Sequence, residues 1–555
     1  MLGALGDLLI KLSTGVYFYS LFALIVGLKS NDIRFLISTR FATYAGFILI
    51  LFSTVCLVIA FVTHDYSIQY VADHSSNSMP MVYTWIAFYA GNEGSLLFIC
   101  FSLATLLFLF LRNQNIDDKT INFSSIFILL FMVFLLGTTS FLANPFDLAP
   151  YPPDDGQGIN PLLLHFGMFI HPPVQMIGLT GVVIPFGISL GVVICKDMDA
   201  KLDLLRRWSI SIWMVLTAGL ALGSWWAYTI LGWGGYWAWD PVENSSLMPW
   251  LIMTALIHSL IVQRKRNMFK GWNIFLVIFA FFMAQMGMFI NRGGAVPSVH
   301  SFASSSLGWT FLIFMTCSSL FAFLFFIYYF PRLSSPKKVN SFLSRESFIL
   351  IQNVLFLSVA LITLMGTIYP VFTQSIENQE IYVGREFYDT VNGPILLALM
   401  IVLSIAPFIP WKNTSITSYI RKKMIFILIG ILAALINSWY LNGHYWVTLT
   451  LFIFYFAISQ FIYELYRIIA LPRNKNNSFK NKIKIISKIL ASNSSRYGGL
   501  ISHTGILLVM LGIAGTSFMG IERDYALEPG QSAKFKNYEF KYIESVITTK
   551  TDHTN

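Results

Sequence analysis

The sequence predicts an all-α, polytopic membrane protein with about fourteen transmembrane helices. Hydrophobic residues make up 56% of its 555 residues and charged residues only 12%, and the mean hydropathy is +0.66. Soluble globular chains carry about 25% charged residues. The apolar residues also form long runs, and about 20 apolar residues suffice for a helix to cross roughly 30 Å of hydrocarbon.

Fourteen such runs follow one another along the chain, separated mostly by short polar loops. Short loops favour neighbouring helices that cross the membrane in alternating directions. The predicted spans lie near residues 8–28, 40–62, 94–112, 123–143, 172–195, 208–231, 246–263, 273–291, 307–330, 348–370, 393–410, 422–440, 444–468 and 498–520.

The distribution of basic residues predicts the orientation. Most of the 37 Lys and Arg residues fall in every second loop, while the alternate loops before the final tail hold only Arg292 and Arg385. Since Lys and Arg collect in cytoplasmic loops, we expect the N-terminus to lie outside. The predicted organisation is a transmembrane domain over 1–520 with an outer loop at 224–250, an inner basic linker at 472–497 and an outer polar tail at 521–555.

Composition also excludes several classes of function. The net charge of +10 resides in loops beside apolar runs, and no nucleic-acid motif is present, so we expect no nucleic-acid partner. The four cysteines form no CxxC pair and lie in or beside apolar runs, which argues against a disulfide framework. An antiporter-like protein would bury Lys and Glu in mid-helix, but Lys11 and Glu464 lie towards helix ends and can snorkel.

Residues 232–250, GWGGYWAWDPVENSSLMPW, hold four tryptophans and one tyrosine among glycines and prolines. Indole rings offer large rigid faces, and glycines allow close approach of the backbone. An interfacial aromatic belt is the alternative. A belt spreads over many helix ends, however, whereas these tryptophans fall in a single crossing and loop, so we expect a platform for a flat ligand such as a porphyrin.

Two histidines lie inside predicted spans. At 1.5 Å per residue, His258 lies about 9 Å from the inner boundary at Arg264, and His503 about 10 Å from the boundary at Arg496. Intramembrane ionisable residues are costly and often functional. Two imidazoles at equal depth could bind one haem iron from opposite sides, which suits electron transfer; the alternative is a hydrogen bond to a neighbouring helix.

Two further histidines flank the tryptophan-rich loop. His171 begins a helix in FIHPPVQ, and His300 lies in the outer segment GGAVPSVHSFAS. The loop lies between them in sequence, so a haem on it could take one histidine on each face. The other five histidines are predicted not to be ligands. They are His64, His74, His165, His444 and His553.

The stretch GSWWAYTILGWGGYWAWDPVENSSLMPWL resembles the WWD signature of haem-handling membrane proteins, and nearly the whole chain is similar to the CcmF family, the cytochrome c haem lyase subunit of the system I maturation pathway. The resemblance also rests on HSSNSMP at 74–80, GNEGSLLF at 91–98, INPLLLHFGMFIHPP at 159–173, NRGGAVPSVHSFA at 291–303 and SRYGGLISHTGILLVMLGIAG at 495–515.

The resemblance implies that His171 and His300 bind the iron of a substrate haem and that His258 and His503 bind an intramembrane b haem, the expected reductant. No catalytic acid or base is identified, and Glu243 is interpreted, with Asp240, as a loop-shaping acceptor. The residues implied to contact the substrate haem are Trp233, Gly234, Gly235, Tyr236, Trp237, Trp239 and Asp240.

The family also implies partners and a location. These are a CcmE-like haem chaperone, apocytochrome c with its CcmH-like thiol-handling subunits, and quinol as electron donor. The location is a bacterial inner membrane with the active face in the periplasm; an organellar inner membrane is the alternative. A haem exporter with the same loop is the rival function, but about six helices and only the outer histidine pair are expected of it.

The chain departs from the family pattern in three places. Tyr236 and Ala238 stand where larger aromatic residues are common, and Asn92 stands where a histidine is common. Family members also continue into a larger outer domain, whereas this sequence stops about 35 residues after its last apolar run. A second polypeptide, a truncation or a branch without that part would each account for this.

Overall fold

The computed structural model describes residues 1–231, 235–294, 296, 298, 307–335, 337, 339, 341–411, 415–441, 445–470, 487–519, 521 and 523–545. Every predicted apolar run forms helix within these ranges. Thirteen helical segments of the described residues are long and apolar enough to cross a membrane. The run near 422–440 also forms a helix, Ile416–Leu441, which is not among those thirteen. The all-α, polytopic prediction is thus confirmed.

The first half of the chain supplies ten helices, two of which are short and lie between spans. They are α1 (Leu2–Ser30), α2 (Ile33–Val62), α3 (Gln69–His74), α4 (Met81–Ala87), α5 (Asn92–Arg112), α6 (Lys119–Phe141), α7 (His171–Gly181), α8 (Val183–Ile194), α9 (Leu202–Ile230) and α10 (Pro241–Arg266). Short 3-10 helices cover Pro161–Leu163 and Phe166–Phe169.

In the second half, seven helices and one hairpin have both ends within the described residues, and residues 487–492 are also helical. The helices are α11 (Lys270–Gly293), α12 (Gly308–Tyr329), α13 (Arg345–Glu377), α14 (Arg385–Ile405), α15 (Ile416–Leu441), α16 (Tyr445–Ala470) and α17 (Ser494–Met519). The hairpin pairs β1 (Ser532–Phe535) with β2 (Tyr538–Lys541), antiparallel, with Ser532 opposite Lys541. Helix α17 begins inside the predicted linker, and the hairpin within the predicted polar tail was not foreseen.

Short polar residues set the helix boundaries. Asp32 and Asp118 cap α2 and α6 by accepting from the backbone N–H groups of Arg34 and Ile121, which satisfies donors that the first turn leaves without partners. Asn31 and Asn267 end α1 and α10 in the left-handed conformation that commonly terminates helices.

The chain contacts divide the molecule into two compact units, and the first comprises Met1–Lys338 and Phe356–Thr390. Small and hydroxylated residues bring its helices together. Between α1 and α2, Ser13 Oγ donates to the carbonyl oxygen of Gly46 at 3.1 Å, and Ser20 Oγ lies 2.8 Å from Thr43 Oγ1. Helices in lipid associate through such close packing and hydrogen bonds.

The second unit comprises Val339–Leu355 and Val391–Ile547. In it α15 packs on α16 and α16 packs on α17. Its apolar core contains Met400, Ile453, Phe454, Ala457, Phe461, Leu500 and Leu507.

Candidate functional site

The three segments predicted to face outward around the tryptophan-rich loop meet at one end of the first unit. The His171 ring packs against α9, which leads into that loop. The Ser298 hydroxyl donates to Asp240 Oδ1 at 2.6 Å, and Arg292 Nη2 lies 3.6 Å from Met176 Sδ on α7. The topology inferred from the apolar runs therefore brings together segments that are far apart in sequence.

The imidazole of His171 is held in one orientation. Its Nδ1 donates to the carbonyl oxygen of Gly219 at 2.9 Å, and a Cβ added at Gly223 would lie 2.5 Å from its Cε1 atom. The ring therefore occupies space that only a glycine at 223 leaves open. A backbone partner on one imidazole nitrogen is the usual device for orienting a metal-binding histidine, so Nε2 is the nitrogen suited to bind iron.

The WDPVEN stretch forms a rigid turn into α10. Asp240 caps this helix by accepting from Val242 N at 2.9 Å, and Glu243 Oε2 accepts from the backbone N–H groups of Ala238 at 2.9 Å and Asp240 at 3.3 Å, a reciprocal capping box. This agrees with the interpretation of both carboxylates as loop-shaping acceptors. Direct contact of Asp240 with haem stays a prediction.

Trp239 has a backbone φ of 60°. A side chain in this left-handed region costs roughly 1–2 kcal/mol, and such conformations cluster at functional sites. Its indole lies edge-on to that of Trp237, with ring centroids 6.1 Å apart and planes at 87°. Both rings are half-buried, as are Gly235 and Tyr236. The other predicted site residues of this region, Trp233, Gly234 and His300, lie outside the described residues.

Two other tryptophans of this region, Trp226 and Trp250, pack against neighbouring protein. Trp226 is 1% exposed. Trp250 Nε1 donates to Thr217 Oγ1 at 2.8 Å, and its ring stacks on Trp213, which links α9 to α10. The concentration of tryptophans that predicted a platform therefore includes residues that pack two helices together.

His258 and His503 lie within α10 and α17, as predicted. His258 Nδ1 donates to the carbonyl oxygen of Thr254 at 2.8 Å, which orients the ring. The ring of His503 lies 6.4 Å from that of Phe461. His258 is eight residues from the end of α10 and His503 nine from the start of α17, or about 12 and 14 Å at 1.5 Å per residue. The two histidines belong to different units, and their pairing stays a prediction.

The imidazole of His74 packs against protein, although the residue lies in a segment between two spans. Its Nδ1 donates to the carbonyl oxygen of Tyr70 at 3.0 Å, and its ring packs 4.4 Å from that of Tyr70. A Cβ at Gly91 would lie 2.6 Å from His74 Nε2. Burial lowers the pKa of His74, although the Tyr70 carbonyl and Glu93 oppose the shift. Its sequence position in a polar segment between spans gave no signal of this burial.

The fold and this site together define a multi-pass membrane protein of cytochrome c assembly. Residues 89–294, which contain α5 to α11, match the family described as cytochrome C assembly protein. The chain belongs to the CcmF family of cytochrome c-type biogenesis proteins.

Its similarity to relatives extends over most of the sequence. It is 32% identical to the CcmF protein of Pseudomonas fluorescens, covering 90% of this chain and 74% of that protein. It is 30% identical to CcmF of Escherichia coli K12, covering 98% and 82%. A solved structure titled cytochrome c heme lyase CcmF superposes with a TM-score of 0.75 at 25% identity, covering 93% of this chain and 77% of that one.

Proposed function

We propose that this chain is the haem lyase component of a cytochrome c maturation complex and presents substrate haem at the tryptophan-rich loop. The observation that carries the proposal is His171. Its ring is fixed by Gly219 and accommodated by Gly223 on α9, the helix that leads into the loop with the strained turn at Trp239. Fixed imidazole and rigid indole are the elements needed to orient an iron porphyrin.

The proposed reaction adds each cysteine thiol of a CxxCH segment across one vinyl group of haem. A C–S bond and a C–H bond form while the S–H bond and the vinyl π bond break, so the addition itself needs no oxidant or reductant. The protein must therefore orient the two reactants, and orientation alone can lower a barrier by about 7–11 kcal/mol. His171 and His300 would hold the iron, with Trp233, Trp237 and Trp239 bordering the ring.

Release of the product requires an exchange of iron ligands. The histidine of CxxCH must replace either His171 or His300. The haem chaperone, apocytochrome c and its thiol-handling subunits are the proposed partners, acting on the periplasmic side of a bacterial inner membrane.

Both intramembrane histidines are of the residue type that binds haem iron, and the ring of His258 is held in one orientation. The Nδ1 of His258 is committed to the Thr254 carbonyl, which favours Nε2 as an iron ligand, and His258 and His503 are the residues that would hold the b haem. A bis-histidine b haem would supply single electrons, with quinol as the proposed donor, to keep the substrate iron ferrous. The rival haem-exporter function lacks support, because relatives over 98% of the chain are CcmF proteins.

The intramembrane site is tested by absorption spectroscopy and a pyridine haemochrome assay of purified protein. We expect non-covalent b haem in the wild type and its loss in His258→Ala and His503→Ala. His64→Ala is the control, since His64 lies outside the helices, in a predicted outer loop, where its Nδ1 is 3.3 Å from the Tyr66 hydroxyl. Absence of b haem from the wild type, or its retention in both intramembrane variants, would refute the redox part of the proposal.

The outer site is tested by holocytochrome c formation in a host whose own CcmF is replaced by this chain. His171→Ala and His300→Ala should each abolish formation while the b haem content stays at the wild-type level. Normal holocytochrome c in either variant would remove that residue from the proposed ligand set.

A further inference from the structure

The ring of Trp239 is held from outside its own loop by two consecutive residues at the start of α14. The Tyr388 ring stacks on Trp239 with centroids 5.0 Å apart and planes at 11°. Asp389 Oδ1 accepts a hydrogen bond from Trp239 Nε1 at 2.9 Å. One face of the indole and its only donor are therefore occupied by residues about 150 positions away in sequence.

Tyr388 is itself fixed in place. It is 2% exposed, and a Cβ added at Gly366 of α13 would lie 2.6 Å from its hydroxyl oxygen. Its ring thus fits between α13 and Trp239. The hydroxyl also interacts with Thr367, the next residue of α13.

The backbone of Trp239 is tied to the same residue of α13. Asn244 Nδ2 donates both to the carbonyl oxygen of Trp239, at 2.9 Å, and to Thr367 Oγ1, at 3.0 Å. The contacts therefore close a ring that runs from Trp239 through Asn244, Thr367 and Tyr388 back to the indole. Every member belongs to the first unit.

We propose that Tyr388 and Asp389 are positioning residues for haem handling, which hold Trp239 in its left-handed conformation with one indole face committed to Tyr388. This inference rests on the proposed function. A flat ligand can then stack only on the opposite face or meet the indole edge. The start of α14 thereby becomes part of the proposed platform, although it contributes no predicted haem contact.

The first test uses the acceptor on Asp389. Asp389→Ala removes the indole hydrogen bond, whereas Asp389→Asn keeps an oxygen that can accept it. Asp389→Ala should lower the initial rate of holocytochrome c formation about tenfold, the equivalent of about 1.4 kcal/mol, with b haem content unchanged. Asp389→Asn should restore the rate to within about twofold. Glu386→Ala, an exposed carboxylate of the same helical turn, is the control and should behave as the wild type.

A second readout does not depend on activity. In protein labelled with 5-fluorotryptophan, the Trp239 resonance is assigned by its absence from Trp239→Phe. It should shift in Tyr388→Leu and Asp389→Ala, remain in place in Asp389→Asn and Glu386→Ala, and shift when haem is added to the wild type.

Tyr388 and Asp389 together form the clamp on Trp239. The rate of holocytochrome c formation and the Trp239 resonance separate this clamp from the haem-handling function that it serves. An unmoved Trp239 resonance in both Tyr388→Leu and Asp389→Ala would overturn the clamp whatever the activity. Equal rates for Asp389→Ala and Asp389→Asn would overturn the role of the indole hydrogen bond. A wild type that forms no holocytochrome c, with the expected resonance shifts present, would instead count against the proposed function and leave the clamp standing.

Discussion

Replacing Gly223 by alanine should abolish most activity while leaving the fold intact. The added Cβ would lie 2.5 Å from His171 Cε1, 3.0 Å from Nδ1 and 3.1 Å from Nε2, whereas ordinary carbon contacts are about 3.5–4.0 Å. The imidazole must therefore move by about 1 Å, and a rotation would break its 2.9 Å hydrogen bond to Gly219. Displacement by about 1 Å can cost roughly 100-fold in rate, or about 2.7 kcal/mol.

The assay is the rate of holocytochrome c formation, measured beside the thermal midpoint of the purified protein. Alanine in place of glycine within a helix normally stabilises it by about 0.5–1 kcal/mol, so Gly223→Ala should remain folded. The control is Gly137→Ala in α6, where the added Cβ would meet no atom within 4 Å, and its rate should be that of the wild type. A normal rate in Gly223→Ala would refute the inference that this glycine accommodates His171 as the proposed iron ligand.

Three further predictions concern stability. Glu243→Ala removes the acceptor for two backbone N–H groups and should lower the free energy of unfolding by about 1 kcal/mol, seen as a lower thermal midpoint; an unchanged midpoint would contradict the capping role. Trp250→Phe loses the hydrogen bond to Thr217 and should cost about 0.5–1.5 kcal/mol while haem attachment in folded protein proceeds normally; a loss of attachment per folded molecule would place Trp250 in the haem site. Burial lowers the pKa of His74, so on acidification the unfolded chain binds a proton more readily than the folded chain does. The stability that His74 contributes is therefore present above about pH 6.5 and is lost as the pH falls below it. The fall in the thermal midpoint between pH 7.5 and 5.5 should be smaller in His74→Gln, and an equal fall would contradict a packed, neutral imidazole.

The transmembrane helices could be predicted because length and apolarity decide them almost alone. Helix boundaries were predicted less closely, because apolar runs do not include the capping residues: α6 begins at Lys119, after its cap Asp118, rather than near residue 123. The predicted span near 172–195 instead comprises two helices, α7 and α8, that meet at Val182. Gly181 ends α7 and Pro185 lies in the first turn of α8. Both residue types disfavour an uninterrupted helix, so the local sequence indicates the division that the prediction of a single span missed.

Helix neighbours could not be predicted in the same way. A soluble helix reveals its inner face by its apolar stripe, but a helix in lipid is apolar all round. The stacking of Tyr388 on Trp239 joins two distant segments with no local pattern. The sequence likewise does not distinguish the tryptophans of this region from one another, although Trp250 packs two helices together and Trp239 borders the proposed site. Only contacts distinguish these roles.

In the proposed function, one site presents haem for attachment and another keeps it reduced. This division of roles is tested most directly by mass spectrometry of a CxxCH peptide incubated with haem and membrane vesicles in which this chain replaces the host's CcmF. We predict that the peptide gains the mass of one whole haem and loses both free thiols with the wild type, but not with His171→Ala. His258→Ala should form product only when dithionite keeps the iron ferrous. Product from His171→Ala, or reductant-independent product from His258→Ala, would contradict the two-site account.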